Sequence, residues 1–137
     1  MLVLASNGHP EVSLGGGTKL SRIDKHRLAA VLADGRLRDF DELADYDFAA
    51  YCRGEATRWG GDVITPFQAN VPVVISGVGV VPGDVVSADA SGAVVVPPDD
   101  IEQVLRTAVE IGEDDRRHIA TIRHEDPTAL STAADER

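Results

Sequence analysis

The hydrophobic pattern changes texture midway along the chain. In the first half, "MLVLAS" (1–6) reads as a strand and "NGHPEVSLGGG" as a loop rich in glycine. In "TKLSRIDKHR" (18–27), Leu20, Ile23 and the stem of Arg27 share one helical face. "LAAVLA" (28–33) is close to continuously apolar, as a buried strand requires. Strand, helix and strand in this order predict a βαβ unit with parallel strands. "DFDELADY" predicts a short helix, "FAAYC" a further strand, and "RGEATRWGGD" a long polar loop.

The second half alternates apolar and small residues, with turn signals every few positions. "VPVVIS", "VGVV", "DVVSAD" and "AVVVP" read as four short strands, with turns at Pro82-Gly83 and Ser91-Gly92. Such strands fold as a small antiparallel sheet or barrel. Residues 98–122 then predict a helix capped by Asp99 or Asp100, with Ile101, Val104, Leu105, Ala108 and Ile111 as its apolar stripe. The last stretch, "RHEDPTALSTAADER", has little to bury. The expected organisation is one α/β domain over residues 1–122 and a flexible acidic tail over 123–137.

Composition narrows the partners. The 137 residues are 43% hydrophobic, yet only six are aromatic, so aliphatic side chains must build the core. The net charge of −10 argues against nucleic acid and anionic membranes, which are bound through Lys and Arg. It leaves room for a small anion at a local positive site, or for a basic protein partner. The single Cys52 excludes an internal disulfide, and its place in "FAAYC" suits a buried structural thiol. No run reaches the ~18 apolar residues of a membrane helix, and "MLVLAS" lacks the basic start of a signal peptide. A cytoplasmic location is expected.

Three groups of residues can carry chemistry. Gly15-Gly16-Gly17-Thr18-Lys19 stands where a loop enters a helix, a place for a carboxylate or phosphate. A flexible turn reads equally well there. Arg38-Asp39 joins a cation that grips carboxylates or carbonyls to an anion able to hold Mg²⁺; a solvated ion pair is the plainer alternative. Parallel pairing would bring both groups to one sheet edge, the carboxyl ends of the strands, where open α/β sheets bind ligands. The third group is the loop with Arg53, Arg58, Trp59 and Asp62, which suits a binding loop or a subunit contact. The four histidines match no metal spacing.

Taken in order, "GGTKLSRIDKHRLAAVLADGRLRD", "CRGEATRWGGD" and "VPVVISGVGVVPGDVVSADASGAVVVPP" resemble the RraA-like family. That family includes the ribonuclease-E activity regulator RraA and the class II 4-hydroxy-4-methyl-2-oxoglutarate aldolases. Many members carry a misleading label as demethylmenaquinone methyltransferases. The resemblance implies a swivelling β/β/α sandwich, assembled as a homotrimer or hexamer with sites at subunit interfaces. It also implies a lead-in segment before the strand matching "MLVLAS", so the usual N-terminal portion is expected to be lacking.

The aldolase members cleave 4-hydroxy-2-oxo acids and decarboxylate oxaloacetate through a pyruvate enolate. By the resemblance, Asp39 would be the direct ligand of Mg²⁺ or Mn²⁺ and Glu42 an outer-shell ligand through water. Arg38 would be catalytic, holding the carbonyl oxygen and stabilising the enolate. Gly16, Gly17, Thr18 and Lys19 would bind the carboxylate of a small 2-oxo acid. The aldolase motif has an Asp with twenty residues between it and the Arg; here Gly17 stands in that place, so one water-mediated anchor is missing. The competing expectations are a non-catalytic regulator that masks a basic segment of a ribonuclease or helicase, and an inactive truncated paralogue. The intact Arg38-Asp39 pair favours the enzyme.

Overall fold

The computed structural model describes residues 1–127. Residues 128–137, most of the expected tail, lie outside the described residues. The chain divides into two compact units, residues 1–95 and 96–137.

In the first unit, β1 (Leu2–Ala5), α1 (Gly17–Lys25) and β2 (Ala30–Asp34) form the expected βαβ unit, followed by α2 (Phe40–Leu43) and β3 (Ala49–Tyr51). The three strands make one parallel sheet with β2 in the middle. The register pairs Ala5 with Asp34, so β1 and β2 end together. β2 is buried on both faces, which is why its sequence is an unbroken apolar run. Val31 and Ala33 pack with Leu20 and Ile23 of α1 and with Leu37. Leu32 belongs to a second cluster with Ile75 and Val80.

That second cluster comes from the short strands. β4 (Val73–Ile75) and β5 (Val78–Val80) form an antiparallel hairpin, and β6 (Val85–Asp89) pairs with β7 (Gly92–Val96). Two separate two-stranded pairs thus replace a single continuous sheet. The β4–β5 reversal is a two-residue turn at Ser76-Gly77, both with positive φ, the backbone twist that matches a hairpin. The Tyr51 hydroxyl donates to the Ala88 carbonyl at 2.7 Å and ties β3 to β6.

Past the carboxyl ends of the strands, three extended segments run side by side. Parallel bridges join Ser13 to Arg36, Ser13 to Trp59, and Leu37 to Glu55. The expected polar loop "RGEATRWGGD" is therefore partly sheet-like where it passes Ser13 and Leu37. Cys52, expected buried, is half-buried; it packs against the first cluster and its thiol lies 3.5 Å from the Gly54 carbonyl.

In the second unit, Pro98–Asp100 forms a single 3-10 turn that leads into α3 (Ile101–Ile122). Asp100 sits at the N-cap without a side-chain capping bond, contrary to the expected cap. The apolar stripe is present in sequence, but no residue of α3 is buried. No helix among the described residues is long and apolar enough to cross a membrane.

Candidate functional site

The site forms where the glycine loop and the segment after β2 meet. The Arg38 N–H donates to the Gly15 carbonyl at 2.9 Å, and the Leu14 N–H to the Arg36 carbonyl at 2.9 Å. These bonds zip residues 14–15 to residues 36–38. Asp39 then adopts the left-handed conformation, φ 62° and ψ 49°, which Asp tolerates better than most residues. On a regular strand Arg38 and Asp39 would face opposite ways. The turn at Asp39 removes that constraint, and their charged groups come within 4.0 Å, Arg38 Nη2 to Asp39 Oδ2.

The helix entrance needs a cap that its own sequence does not supply. Its N-cap is Gly16, and its first turn holds no acidic residue. Asp39 fills the role from across the loop: the Gly17 N–H donates to Asp39 Oδ2 at 2.9 Å. A carboxylate here also meets the positive end of the helix dipole. Asp39 Oδ1 keeps its lone pairs. The Lys19 N–H donates to the Gly16 carbonyl, so of the amides at Gly17, Thr18 and Lys19, only that of Thr18 makes no hydrogen bond among the described residues.

Both glycines are needed for this closeness. A Cβ at Gly16 would strike the Asp39 carboxylate, and one at Gly17 would overlap the carboxylate of Glu42. Glu42 thus occupies the space that a side chain at position 17 would fill. The Tyr46 hydroxyl donates to the Gly17 carbonyl at 3.2 Å and fixes the same turn from α2's far end.

A pocket of about 220 Å³ opens beside this cluster, lined by Ser13, Gly15, Gly16, Thr18, Lys19, Arg38 and Trp59. Arg38 Nε is buried without a hydrogen-bond partner among the described residues, although the side chain as a whole is one-third exposed. The exposed third of the side chain is what the guanidinium offers to a ligand oxygen in the pocket. Asp39 and Glu42 border the cluster without lining the pocket. Of the expected residues, then, Gly16, Thr18, Lys19 and Arg38 share one cavity, and Asp39 and Glu42 converge on Gly17 behind it. The residues not expected there are Ser13 and Trp59. The tryptophan had a signal: it is the chain's only one, in a charged loop and followed by two glycines.

No group of three or more His, Cys, Asp or Glu among the described residues forms a ready metal cage. Mg²⁺ needs less: it keeps several waters and commonly takes one or two carboxylates. Asp39, with one oxygen outside its bond to Gly17, and the nearby Glu42 are the two carboxylates that such an ion would take here.

A second polar cluster stands at the end of β2. Arg53 bridges Asp34 at 2.7 Å, and Ser76 of the hairpin turn donates to the same carboxylate at 3.3 Å. Burial pushes the Asp34 carboxyl up, but the bonds from Arg53 and Ser76 outweigh it and hold the group below its ordinary value.

A three-stranded parallel sheet with its loops gathered around a pocket, backed by short hairpins, defines a mixed α/β fold. The chain belongs to the RraA-like family: the family model described as Aldolase/RraA matches residues 1–95. A Halalkalibacterium halodurans protein named "Putative 4-hydroxy-4-methyl-2-oxoglutarate aldolase" is 29% identical over 115 residues, covering 84% of this chain and 54% of that protein. An uncharacterized protein of Pseudomonas syringae pv. tomato has the same fold, with a TM-score of 0.82 at 24% identity over 95% of this chain and 65% of its own. RraAS2 of Streptomyces coelicolor, an unusual member of the RNase ES inhibitor RraA protein family, gives 0.74 at 28% identity over 89% of this chain and 61% of its own. The chain spans about half the length of the aldolase-named relatives it matches.

Proposed function

We propose that this chain is a divalent-metal-dependent carbon–carbon lyase acting on 4-hydroxy-2-oxo acids and oxaloacetate. One observation carries the reading: a pocket-lining guanidinium with an unpartnered donor lies 4.0 Å from a carboxylate that is itself docked on a helix N-terminus. A surface ion pair has no need of that arrangement. The aldolase names among its relatives support the same reading.

In this mechanism the Thr18 amide and the positive end of α1 hold the substrate carboxylate. Arg38 holds the 2-oxo oxygen and gains strength as negative charge develops there, so its contribution falls on the transition state. Asp39 would hold Mg²⁺ or Mn²⁺ directly, and Glu42 would act through water. The metal, when bound, supplies positive charge that polarises the 2-oxo group. Loss of CO2 from oxaloacetate, or of the second 2-oxo acid once its 4-hydroxyl proton has passed to water, leaves the electron pair of the broken C–C bond on the pyruvyl carbon and oxygen. Arg38 stabilises it there until the carbon takes a proton from water.

The assay is decarboxylation of oxaloacetate by the full chain with and without Mg²⁺, corrected for the spontaneous metal-catalysed rate, and repeated on an upstream-extended form. A rate above background that Mg²⁺ controls is expected. No rate in either form overturns the reading. The family resemblance further supports a homotrimer or hexamer, and the exposed Val74, Val78, Val85 and Val94 leave apolar surface for it. Light scattering showing a stable, active monomer overturns that part.

A second reading has its own support. Similarity to RraAS2 together with the net charge of −10 fits a regulator that covers a basic protein segment. Salt-sensitive binding to a basic ribonuclease segment, with no decarboxylation, selects it.

A further inference from the structure

The pocket has an aromatic wall that the proposed chemistry leaves unused. Trp59 stands on its rim beside Arg38, and 60% of the residue remains exposed. An indole exposed at the rim of a pocket can cover the apolar carbon of a bound ligand.

The loop is built to hold the ring there. The Ser13 N–H donates to the Arg58 carbonyl at 3.1 Å, which anchors the backbone next to Trp59. A Cβ at Gly60 would strike the Ser13 carbonyl, so only glycine permits this close approach. A Cβ at Gly61 would overlap the indole itself, so its missing side chain is the room the ring occupies. Arg58 and Asp62 clamp the loop with an ion pair of 3.0 Å. The run Trp-Gly-Gly therefore sets an aromatic plane at the pocket mouth.

The occupant must be small, since about 220 Å³ falls below the ~300 Å³ at which drug-sized pockets begin. A ligand whose oxygen meets the exposed part of the Arg38 guanidinium leaves the rest of its carbon skeleton to meet the other walls of the same pocket, of which Trp59 is the large apolar one.

We infer that Trp59 is a specificity-determining residue that favours 2-oxo acids with more apolar carbon beyond the carbonyl carbon. The inference rests on the 2-oxo acid reading of the pocket. It is tested on the full chain by titration calorimetry in Mg²⁺ with pyruvate, 2-oxobutyrate and 4-methyl-2-oxopentanoate. Each carries one carboxylate, so the charge near Lys19 stays constant across the series. In the wild type, affinity rises with apolar size, and the fluorescence of the single tryptophan changes on saturation. Trp59→Ala flattens the series, losing about tenfold for the largest acid and little for pyruvate. Trp59→Phe keeps most of the preference. Gly61→Ala, which displaces the ring without touching Arg38, weakens the preference in the same direction.

A wild type that binds pyruvate but shows a flat series overturns the inference alone. So does a Trp59→Ala variant that keeps the series or weakens all three acids equally. A folded wild type that binds none of the three overturns the 2-oxo acid reading, and this inference falls with it.

Discussion

The two clusters that meet at β2 are built differently. The one shared with α1 is closed: Leu20 is 1% exposed, Val31 and Leu37 are 0% exposed, and partly buried Leu, Tyr and Phe side chains surround them. The one shared with the hairpins is thin, resting on Leu32, Ile75 and Val80, and the same short strands leave Val74 at 61% and Val94 at 60% exposure. The candidate site belongs to the closed cluster, since Leu20 and Leu37 sit next in structure to Gly15 and next in sequence to Lys19 and Arg38. Chemistry that depends on ångström-level placement would gain from this closed packing. The hairpins carry apolar surface suited to a partner.

Cutting into each cluster tests this contrast. Leu37→Ala removes a fully buried side chain one residue from Arg38 and is expected to cost about 2–5 kcal/mol. Val74→Ala is expected to stay within about 0.5 kcal/mol. Urea unfolding of both variants measures the difference, and equal losses would end the comparison. The next largest effect separates the members of the site. Arg38→Ala should lower the decarboxylation rate by about 10²–10³ while leaving Mn²⁺ binding intact. Asp39→Ala should abolish metal dependence and also uncap α1, costing about 1 kcal/mol through the lost bond to the Gly17 amide. Mn²⁺ titration and unfolding curves together distinguish the two.

The sequence carried the elements better than their partners. α1 was legible because Leu20 and Ile23 keep helical spacing, and β2 because burial on both faces leaves no polar position. The shared edge of the glycine loop and Arg38 followed from parallel pairing alone. Arg38 and Asp39 meeting at one place depends on a single left-handed residue, which composition does not reveal. The bridges of Ser13 to Arg36 and Trp59 join distant segments, and no periodicity encodes them. Trp59 read as a binding loop or a subunit contact because an aromatic among charges fits both; the overlap at Gly61 is what places the ring. The strands break at Gly77 in the sequence, but Ser76 reads there as the end of a strand, so the tight two-residue turn at Ser76-Gly77 went unnamed.

Asp34 links the two faces, since it ends β2 and accepts from Ser76 in the hairpin turn and from Arg53. Its folded pKa lies below its ordinary value, so the unfolded chain binds the proton more tightly. The stability this group contributes is full above the unfolded pKa of ~3.9 and is lost as pH falls through the lower folded value. Arg53→Met, which removes a half-exposed ion pair screened by solvent, should cost about 0.5–1 kcal/mol at neutral pH, a loss that shrinks as pH falls through the lower folded value and the carboxyl protonates in the wild type as well. Urea midpoints across pH check the sign. A loss that grows on acidification would show that Asp34 is not the partner that matters.

The smallest expected effect concerns Gly17. The aldolase motif suggests that Gly17→Asp should supply a missing carboxylate and tighten Mg²⁺. The structure adds a condition, because the carboxylate of Glu42 already fills that space. Glu42 is exposed on a short helix and can swing away at small cost, so the variant should fold with a change under about 0.5 kcal/mol. One acid arrives as another leaves, and the number near the ion stays the same. Mn²⁺ affinity should therefore rise by well under the tenfold that ~1.4 kcal/mol represents. Glu42→Ala alone should weaken Mn²⁺, and Gly17→Asp added to it should bring the affinity back, a coupling expected only between groups that share one space. Water-proton relaxation with Mn²⁺ measures all four proteins without any turnover. Strictly additive effects would mean that the two positions act independently, and that the contact between them has no bearing on the ion.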